Sequence, residues 1–306
     1  MTKFINIYDG ALTSKEEIKF FDATLIPAGG ERLDPFILAT NLLAQNIDIN
    51  PIIAINPLFQ HPYDVLKKII SLQKLYQKRV GLNLVSGSFP KELLALGDQL
   101  DSRARDQRLE SFYQFLVNYL EGDKLKAKNI FYEFDKVHLI KNNQKIELDF
   151  YVSSNLDLVS NQHATHFAKV LRPEHFRVHR EEKRKEGLAL GISIVKNDES
   201  YEEHINKRFP YDRQNETLSH LKLLDQSSNW NCWIKDHLEN NDINDPCYNL
   251  RAYVFNNSSV PYLCGNKQFI LDQFQTLTRK KNNFFIIDYF SEDFESIKDI
   301  ITILRK

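Results

Sequence analysis

Residues 80–87 read VGLNLVSG, and SFPKELLALGDQLDSRARDQRLESFYQFLVNYL follows at 88–120. The first stretch is an apolar run of strand length that ends in Asn83, Ser86 and Gly87. The second is a polar loop from which an amphipathic helix opens near Arg105. In a parallel barrel, ligands sit at the carboxyl ends of strands. Small polar residues there permit close approach, and a nearby arginine pairs with an anion.

The same alternation extends outward in both directions. FINIYD (4–9), ATLIPA (23–28), INPIIAINP (49–57), IELDFYVSS (146–154), ATHFAKVL (164–171), GLALGISIVK (187–196) and Asn283–Phe290 are predicted strands. Helical spacing marks Asp34–Gln45, Asp64–Gln77, Ala104–Glu121, 173–186, 267–279 and Glu292–Leu304. NIFYEF and KVHLI form an excursion with a hairpin turn at Asn142–Asn143. Strand–helix alternation argues for parallel pairing with helical crossovers. Eight strands fit an α/β fold of the (β/α)8 TIM-barrel class, with a doubly wound open sheet as the alternative. The first βα unit is shortened, because only LTSKEEIKFF separates strands one and two. A long polar insertion, 200–265, rich in Asn and His, follows strand seven, where lids and substrate loops sit. The expectation is a single domain over 1–306.

Composition excludes several function classes. With 40 basic and 41 acidic residues the formal net charge is -1, so no broad field draws nucleic acid or membrane. The basic run Arg180–Lys185 contains two glutamates and reads as a solvated helix face. No stretch reaches the roughly 20 apolar residues that span a bilayer. The N-terminal MTKFINIYDGALTSKEE lacks the apolar segment of a signal peptide. Cys232, Cys247 and Cys264 have no metal-type spacing, and their odd number argues against a disulfide framework. A reducing cytoplasm is the expected compartment. His163, His166, His204 and His220 lack carboxylates or cysteines at ligand spacing, so hydrogen-bonded or surface roles are expected and no metal is assigned.

Laid out this way, the chain resembles the bacterial luciferase-like flavin monooxygenases, in particular their alkanesulfonate monooxygenase branch. The segments that carry the resemblance are ATLIPAGGERLDPFILA, IIAINPLFQHPYDVLKKIISLQKL, LNLVSGSFPKELLALGDQLDSRARDQRLESFYQFLVNYL, FYVSSNLDLVS and PYLCGNKQFILDQFQTLTRKKNNFFIIDYFSEDFESI. They cover most of the chain from about Phe20 onward and are specific as a set. The resemblance implies a two-component monooxygenase. Reduced FMN, delivered by a separate NAD(P)H-dependent flavin reductase, reacts with oxygen to a C4a-(hydro)peroxyflavin, which passes one oxygen atom to a small organic substrate. Family members commonly dimerise, so a homodimer, or a heterodimer with another barrel chain, is expected.

The resemblance also implies roles for individual residues. Ser153 and Ser154 match the paired serines that close strand five and bind the FMN phosphate; the alternative is an ordinary N-cap for a helix at 155–161. Arg105 falls where the family's arginine faces that phosphate, in a run (Arg103, Arg105, Arg108) whose register is open by a residue or two; the alternative is a solvated arginine. Asn83, Ser86 and Gly87 align with the strand-four end beneath the isoalloxazine ring; Asn83 has a structural alternative, tied to a neighbouring strand. Tyr289, at the end of strand eight, matches an active-site tyrosine, against the alternative of a core aromatic. Arg32 stands where the alkanesulfonate branch has cysteine, and either supplies positive charge there or lies at the surface.

The departures narrow the chemistry. The family's His and Tyr at the fourth-helix entry read Ser102 and Asp106 here, and the Arg and His of its seventh strand read Leu190 and Ile192. A sulfonate needs converging cations, and an apolar seventh strand supplies none. The expected substrate is therefore uncharged or weakly charged. A second class of function fits the same departures: a non-catalytic barrel that partners an active subunit or only binds a ligand.

Overall fold

The computed structural model describes residues 2–10, 13–29, 32–87, 90–122, 125–137, 146–152, 165–177, 186–223, 229–256, 258–279 and 282–306. In chain order its elements begin β1 (Lys3–Ile7), α1 (Lys15–Phe20), β2 (Ala23–Ile26), α2 (Pro35–Ala44), β3 (Pro51–Ile55), α3 (Pro62–Tyr76), β4 (Val80–Leu84), α4 (Pro90–Ala95) and α5 (Ser102–Leu120). A short antiparallel pair, β5 (Leu125–Lys128) and β6 (Glu133–Val137), comes next, then β7 (Leu148–Val152), β8 (Thr165–Val170), α6 (Glu174–Arg177) and β9 (Glu186–Ile194). The chain continues through α7 (Tyr201–Arg208), α8 (Arg213–Leu223), α9 (Asn229–Asn240), α10 (Arg251–Phe255), β10 (Tyr262–Gly265), α11 (Lys267–Arg279), β11 (Phe284–Tyr289) and α12 (Phe294–Leu304).

The strand order is β10-β9-β11-β1-β2-β3-β4-β7-β8, and β8 pairs back onto β9. That closure is the topology of a (β/α)8 barrel and excludes the open doubly wound sheet. All eight predicted strands are present, and β10 adds a ninth beside the last residues of β9, Tyr262 opposite Gly191. The short first crossover is confirmed: α1 has six residues.

Local chemistry sets the helix starts. Asp101 caps α5 by accepting the Ala104 N–H at 2.7 Å, so this helix opens at Ser102, two residues before the expected start. Pro35 and Pro62 open α2 and α3, where a missing N–H costs nothing. A reciprocal capping box between Ser200 and Glu203 starts α7.

The excursion contains a hairpin, β5 with β6, that turns at Asn129–Tyr132, where the Asn129 side chain accepts the N–H groups of Phe131 and Tyr132; the hairpin expected across Asn142–Asn143 lies outside the described residues. Among the described residues, the insertion at 200–265 carries α7, α8, α9, α10 and β10, and its Ile205, Phe209, Ala252, Val260, Tyr262 and Cys264 form a core cluster on which Val170, Ala189 and Phe290 pack. Of the helix expected at 173–186, Glu174–Arg177 is seen and 178–185 lies outside the described residues, the basic run Arg180–Lys185 with it.

The chain divides into two compact units, 7–167 and 1–6 with 168–306. In the first, Ile53, Ile55, Leu82, Leu84, Phe150 and Val152 pack on residues of α2, α3 and α5 such as Phe36, Val65, Ile69 and Phe112. Phe150 meets the Tyr113 ring edge-on at 4.9 Å. In the second, Phe285 and Phe4 lie against Phe274 of α11. Each strand thus sends alternate residues to the helices and the others to the opposite face. Among the described residues no helix is long and apolar enough to cross a membrane.

Phe150 is fully buried, so Phe150→Ala is expected to cost about 3–5 kcal/mol by lost transfer energy plus a cavity, read as a lower urea midpoint at unchanged slope.

Candidate active site

In the unit 7–167, the face opposite the helices carries Asn83 of β4 and Tyr151 of β7, which lie in register, and Asn56 just past β3. The Tyr151 ring stacks on His166 at 4.7 Å, and Gly81 leaves it room: a Cβ there would come within 3.2 Å of that ring. Asn83 and Asn56 are 7% and 6% exposed, so both are buried polar residues in a strand-end layer. Asn56 folds its own turn by accepting the Leu58 N–H at 2.9 Å. Val85, Ser86 and Gly87 continue the strand end, half-buried. Gly87 has φ +95°, and a Cβ there would sit 2.7 Å from Leu93 and 3.1 Å from the Asn56 amide. Glycine is required at this turn on both counts.

The register of the arginine run is settled by burial. Arg103 is exposed. Arg108 forms a bidentate pair with Asp98 (2.6 and 3.2 Å). Arg105 is 6% exposed and its Nη1 donates to the Leu100 carbonyl at 2.8 Å; among the described residues neither its Nε nor that of Arg108 has a hydrogen-bond partner. Arg105 lies one turn into α5, on the stripe that continues through Leu109 and Phe112. A buried guanidinium near a helix start has the chemistry of an anion ligand. Arg32, after β2, is exposed, and its Nη1 lies 3.8 Å from the Asp9 carboxylate. Ser153 and Ser154 lie outside the described residues.

In the second unit, alternation decides which residues can meet a ligand. Phe285 packs on α11, so Ile287 and Tyr289 share that helix-side face, and the Tyr289 ring stacks on Phe294 at the start of α12, 6.3 Å away. Asp288 occupies the opposite face at this strand end. Pairing of β11 with β9 carries the assignment across: Leu188, Leu190 and Ile192 lie opposite Phe285, Ile287 and Tyr289. Leu190 and Ile192 therefore share the face that packs on α11, and Ala189, Gly191 and Ser193 occupy the opposite face of strand seven.

That side is furnished by the 200–265 segment. The Tyr262 ring lies on Gly191, where a Cβ would come within 2.3 Å of it, and its hydroxyl donates to Asp288 at 2.8 Å. Burial, reinforced by the Asp288 carboxylate, pushes the Tyr262 phenol well up. Ser193 Oγ lies 2.8 Å from His204 Nε2, and His204 Nδ1 lies 2.7 Å from the Glu199 carboxylate. Nucleophile, base and orienter are thus in order, but Ser193 is fully buried beside Cys264, so the set acts as a polar strut between α7 and β9. A second strut runs from Arg208 to Asp293, whose other oxygen accepts the Ile194 N–H at 3.2 Å. Arg208 also pairs with Glu292 and covers the Phe290 ring at 4.6 Å. Sequence reasoning missed Tyr262, Asp288 and both struts. The available signal was Gly187 and Gly191 inside a strand, a mark of close approach. Among the described residues no group of three or more His, Cys, Asp or Glu is arranged to hold a metal ion.

A barrel with a built strand-four end is the class that these features define. Residues 14–154 match the family described as luciferase-like monooxygenase. The chain is 25% identical over 247 residues to 4-(γ-L-glutamylamino)butanoyl-[BtrI acyl-carrier protein] monooxygenase BtrO of Niallia circulans, covering 76% of this chain and 72% of that one. An F420-dependent secondary alcohol dehydrogenase in complex with an F420–acetone adduct superposes with TM-score 0.67 at 13% identity, over all of both chains. The oxygenating constituent of 3,6-diketocamphane monooxygenase of Pseudomonas putida, in complex with FMN, superposes with TM-score 0.64 at 11% identity, over 98% of this chain and 97% of that one. The resemblance to the luciferase-like monooxygenases, read from the sequence, is borne out.

Two outcomes follow from the polar struts and their surroundings. His204→Ala removes both partners of a buried relay and is expected to cost on the order of 2–4 kcal/mol, with His204→Gln recovering part of it, read by urea denaturation. His175 accepts the Arg172 N–H on Nδ1 at 2.8 Å, and burial pushes its pKa down from 6.5 to about 4. The unfolded chain therefore takes up this proton first. The contribution is complete above about pH 6.5 and fades as pH falls toward 4, by on the order of 2–3 kcal/mol. His175→Asn, which keeps an acceptor, is expected to flatten the fall in urea stability over that window relative to wild type.

Proposed function

We propose that the chain is a reduced-FMN-dependent monooxygenase that transfers one oxygen atom from O2 to a small, uncharged or weakly charged organic substrate. The observation that carries this reading is Arg105, a buried guanidinium near the start of α5 whose Nε has no partner among the described residues; Gly87, at φ +95° on the strand-four end, is a separate feature that allows close approach. The residues fit the cofactor. Arg105 meets the chemistry of a phosphate, and Gly87 and Ser86 let a flat ring approach the backbone closely. Asn83 adds a buried amide at the same strand end, and by the family resemblance Ser153 and Ser154 complete the phosphate site. Arg32, its charge offset by Asp9, and Tyr289, on the helix side, are secondary to Arg105 in this reading. When bound, reduced FMN supplies the electrons that activate oxygen. The protein's part is to grip the phosphate, seat the ring and keep water from the reacting atoms. The resemblance further implies a separate NAD(P)H-dependent reductase as supplier of FMNH2, and a chain that works as one domain.

The test is anaerobic titration with FMNH2, followed by ring fluorescence and by equilibrium dialysis. Saturable binding is expected. Arg105→Ala should weaken it by roughly 10- to 100-fold, with Arg105→Lys between the two, since lysine keeps the charge but loses the fork. Failure of wild type to bind FMNH2 would reject the reading. Equal affinity in wild type and Arg105→Ala would remove Arg105 from it.

A further inference from the structure

We infer that Asp98 is a positioning residue for Arg105: it fixes the loop whose Leu100 carbonyl holds the guanidinium that meets the flavin phosphate, an inference that rests on the monooxygenase reading above. Three observations carry it. First, Arg105 depends on the loop before its own helix. Its Nη1 donates to the Leu100 carbonyl at 2.8 Å, the one hydrogen bond of its side chain among the described residues. Second, the Asp98 carboxylate ties that loop to α5. It accepts Arg108 Nη2 and Nη1 at 2.6 and 3.2 Å, and the Leu100 N–H at 3.4 Å. Third, the main chain of Asp98 is itself held. Its N–H donates to the Leu93 carbonyl at 2.9 Å and the Gly97 N–H to the Leu94 carbonyl at 2.9 Å, with Gly97 at φ +85°, the left-handed cap that ends α4.

Leu100 thus sits between two anchors, the Asp98 side chain before it and Asp101, the cap of α5, after it. A loop carbonyl pinned on both sides holds a guanidinium in one orientation. A carbonyl free to swing does not, and the long arginine side chain then loses its rotamer freedom only when a ligand arrives, at a cost in affinity. Asp98 therefore orders Arg105 in advance. The charge of Asp98 is offset by Arg108 through a bidentate pair, so what it passes to Arg105 is geometry rather than field.

The experiment uses the full chain with Asp98→Glu and Arg108→Lys, each of which keeps its charge and breaks the bidentate fit. The first readout needs no flavin: the NMR order parameter of the Arg105 Nε–H, assigned by its loss in Arg105→Ala. It should be about 0.85 in wild type and below about 0.6 in both variants. The second is FMNH2 affinity by equilibrium dialysis. Each variant should bind about three- to tenfold more weakly, and the same change made in Arg105→Ala should cost less than about twofold, because Asp98 acts through Arg105. A merely structural role would weaken binding equally in both backgrounds, and that result overturns the inference. So does an Arg105 order parameter unchanged in the folded variants. Urea midpoints identify a variant that does not fold, and the other of the two then decides. If wild type fails to bind FMNH2 while the order parameter falls in the variants, the flavin reading falls and the positioning of Arg105 by Asp98 stands.

Discussion

A parallel strand covered on both faces has no solvent side, and that constraint governs this protein. Each residue is committed either to the helix layer or to the opposite face, and a one-residue slip would exchange the two sets. Phe285 against Phe274 fixes the phase in β11, and the register with β9 transmits it to Leu188, Leu190 and Ile192. In the other unit, Phe150 against Tyr113 fixes the phase in β7 and leaves Tyr151 on the ligand side, stacked on His166. Chemistry at the strand ends is therefore decided by packing at strand centres. Alternation places Tyr289 on the face shared with Phe285, where its ring stacks on Phe294.

The same constraint explains why a segment so far from the strand-four turn contributes the side chains at the end of β9. Glycines at 187 and 191 vacate the ligand side of that strand, and rings from elsewhere fill the space, Phe284 on the first and Tyr262 on the second. Buried rings of this size contribute the largest share of packing energy. The polar struts then fix the direction. His204 and Arg208 lie four residues apart on α7, one bound to the Ser193 side chain and the other, through Asp293, to the next residue's N–H. Two such bonds to adjacent strand residues set both the position and the roll of a helix. The 200–265 segment is thus anchored at its root by side-chain bonds to β9 and Asp293.

Much of the fold was legible because apolar runs of strand length and helices of 3.6-residue period are local signals. All eight barrel strands and the helix at 267–279 could be read from spacing alone. β10 could not: YLCG is four residues long, and its pairing with β9 is a tertiary fact. The turn at Asn129–Tyr132 was not read from the sequence, because its signal is one asparagine side chain that only the pairing of β5 with β6 singles out. At the site, Gly87 and Arg105 were visible as residue types at a strand end and a helix start. Which of three arginines is buried was not visible, since it depends on the angle at which α5 meets the sheet. The phase of β11 was not legible, because Phe284–Ile287 are four consecutive apolar residues and alternation there gives no sequence signal.

Arg105 and Arg108 bring the argument to one helix. They lie three residues apart near the start of α5, so both guanidinium groups are near the positive end of its dipole, where cations are disfavoured. Burial adds a desolvation cost of several kcal/mol for each. Arg108 offsets this with a bidentate carboxylate, Asp98, 2% exposed in its side chain. Arg105, the more buried residue, has among the described residues a single carbonyl, and a hydrogen bond from a charged donor to a neutral acceptor returns only about 1.5–3 kcal/mol. Two neighbouring cations in the same field thus differ in their partners, a carboxylate at Arg108 and a carbonyl at Arg105. A phosphate at Arg105 would supply the counter-charge that Asp98 supplies at Arg108, and the helix dipole that opposes the bare arginine would then favour the pair.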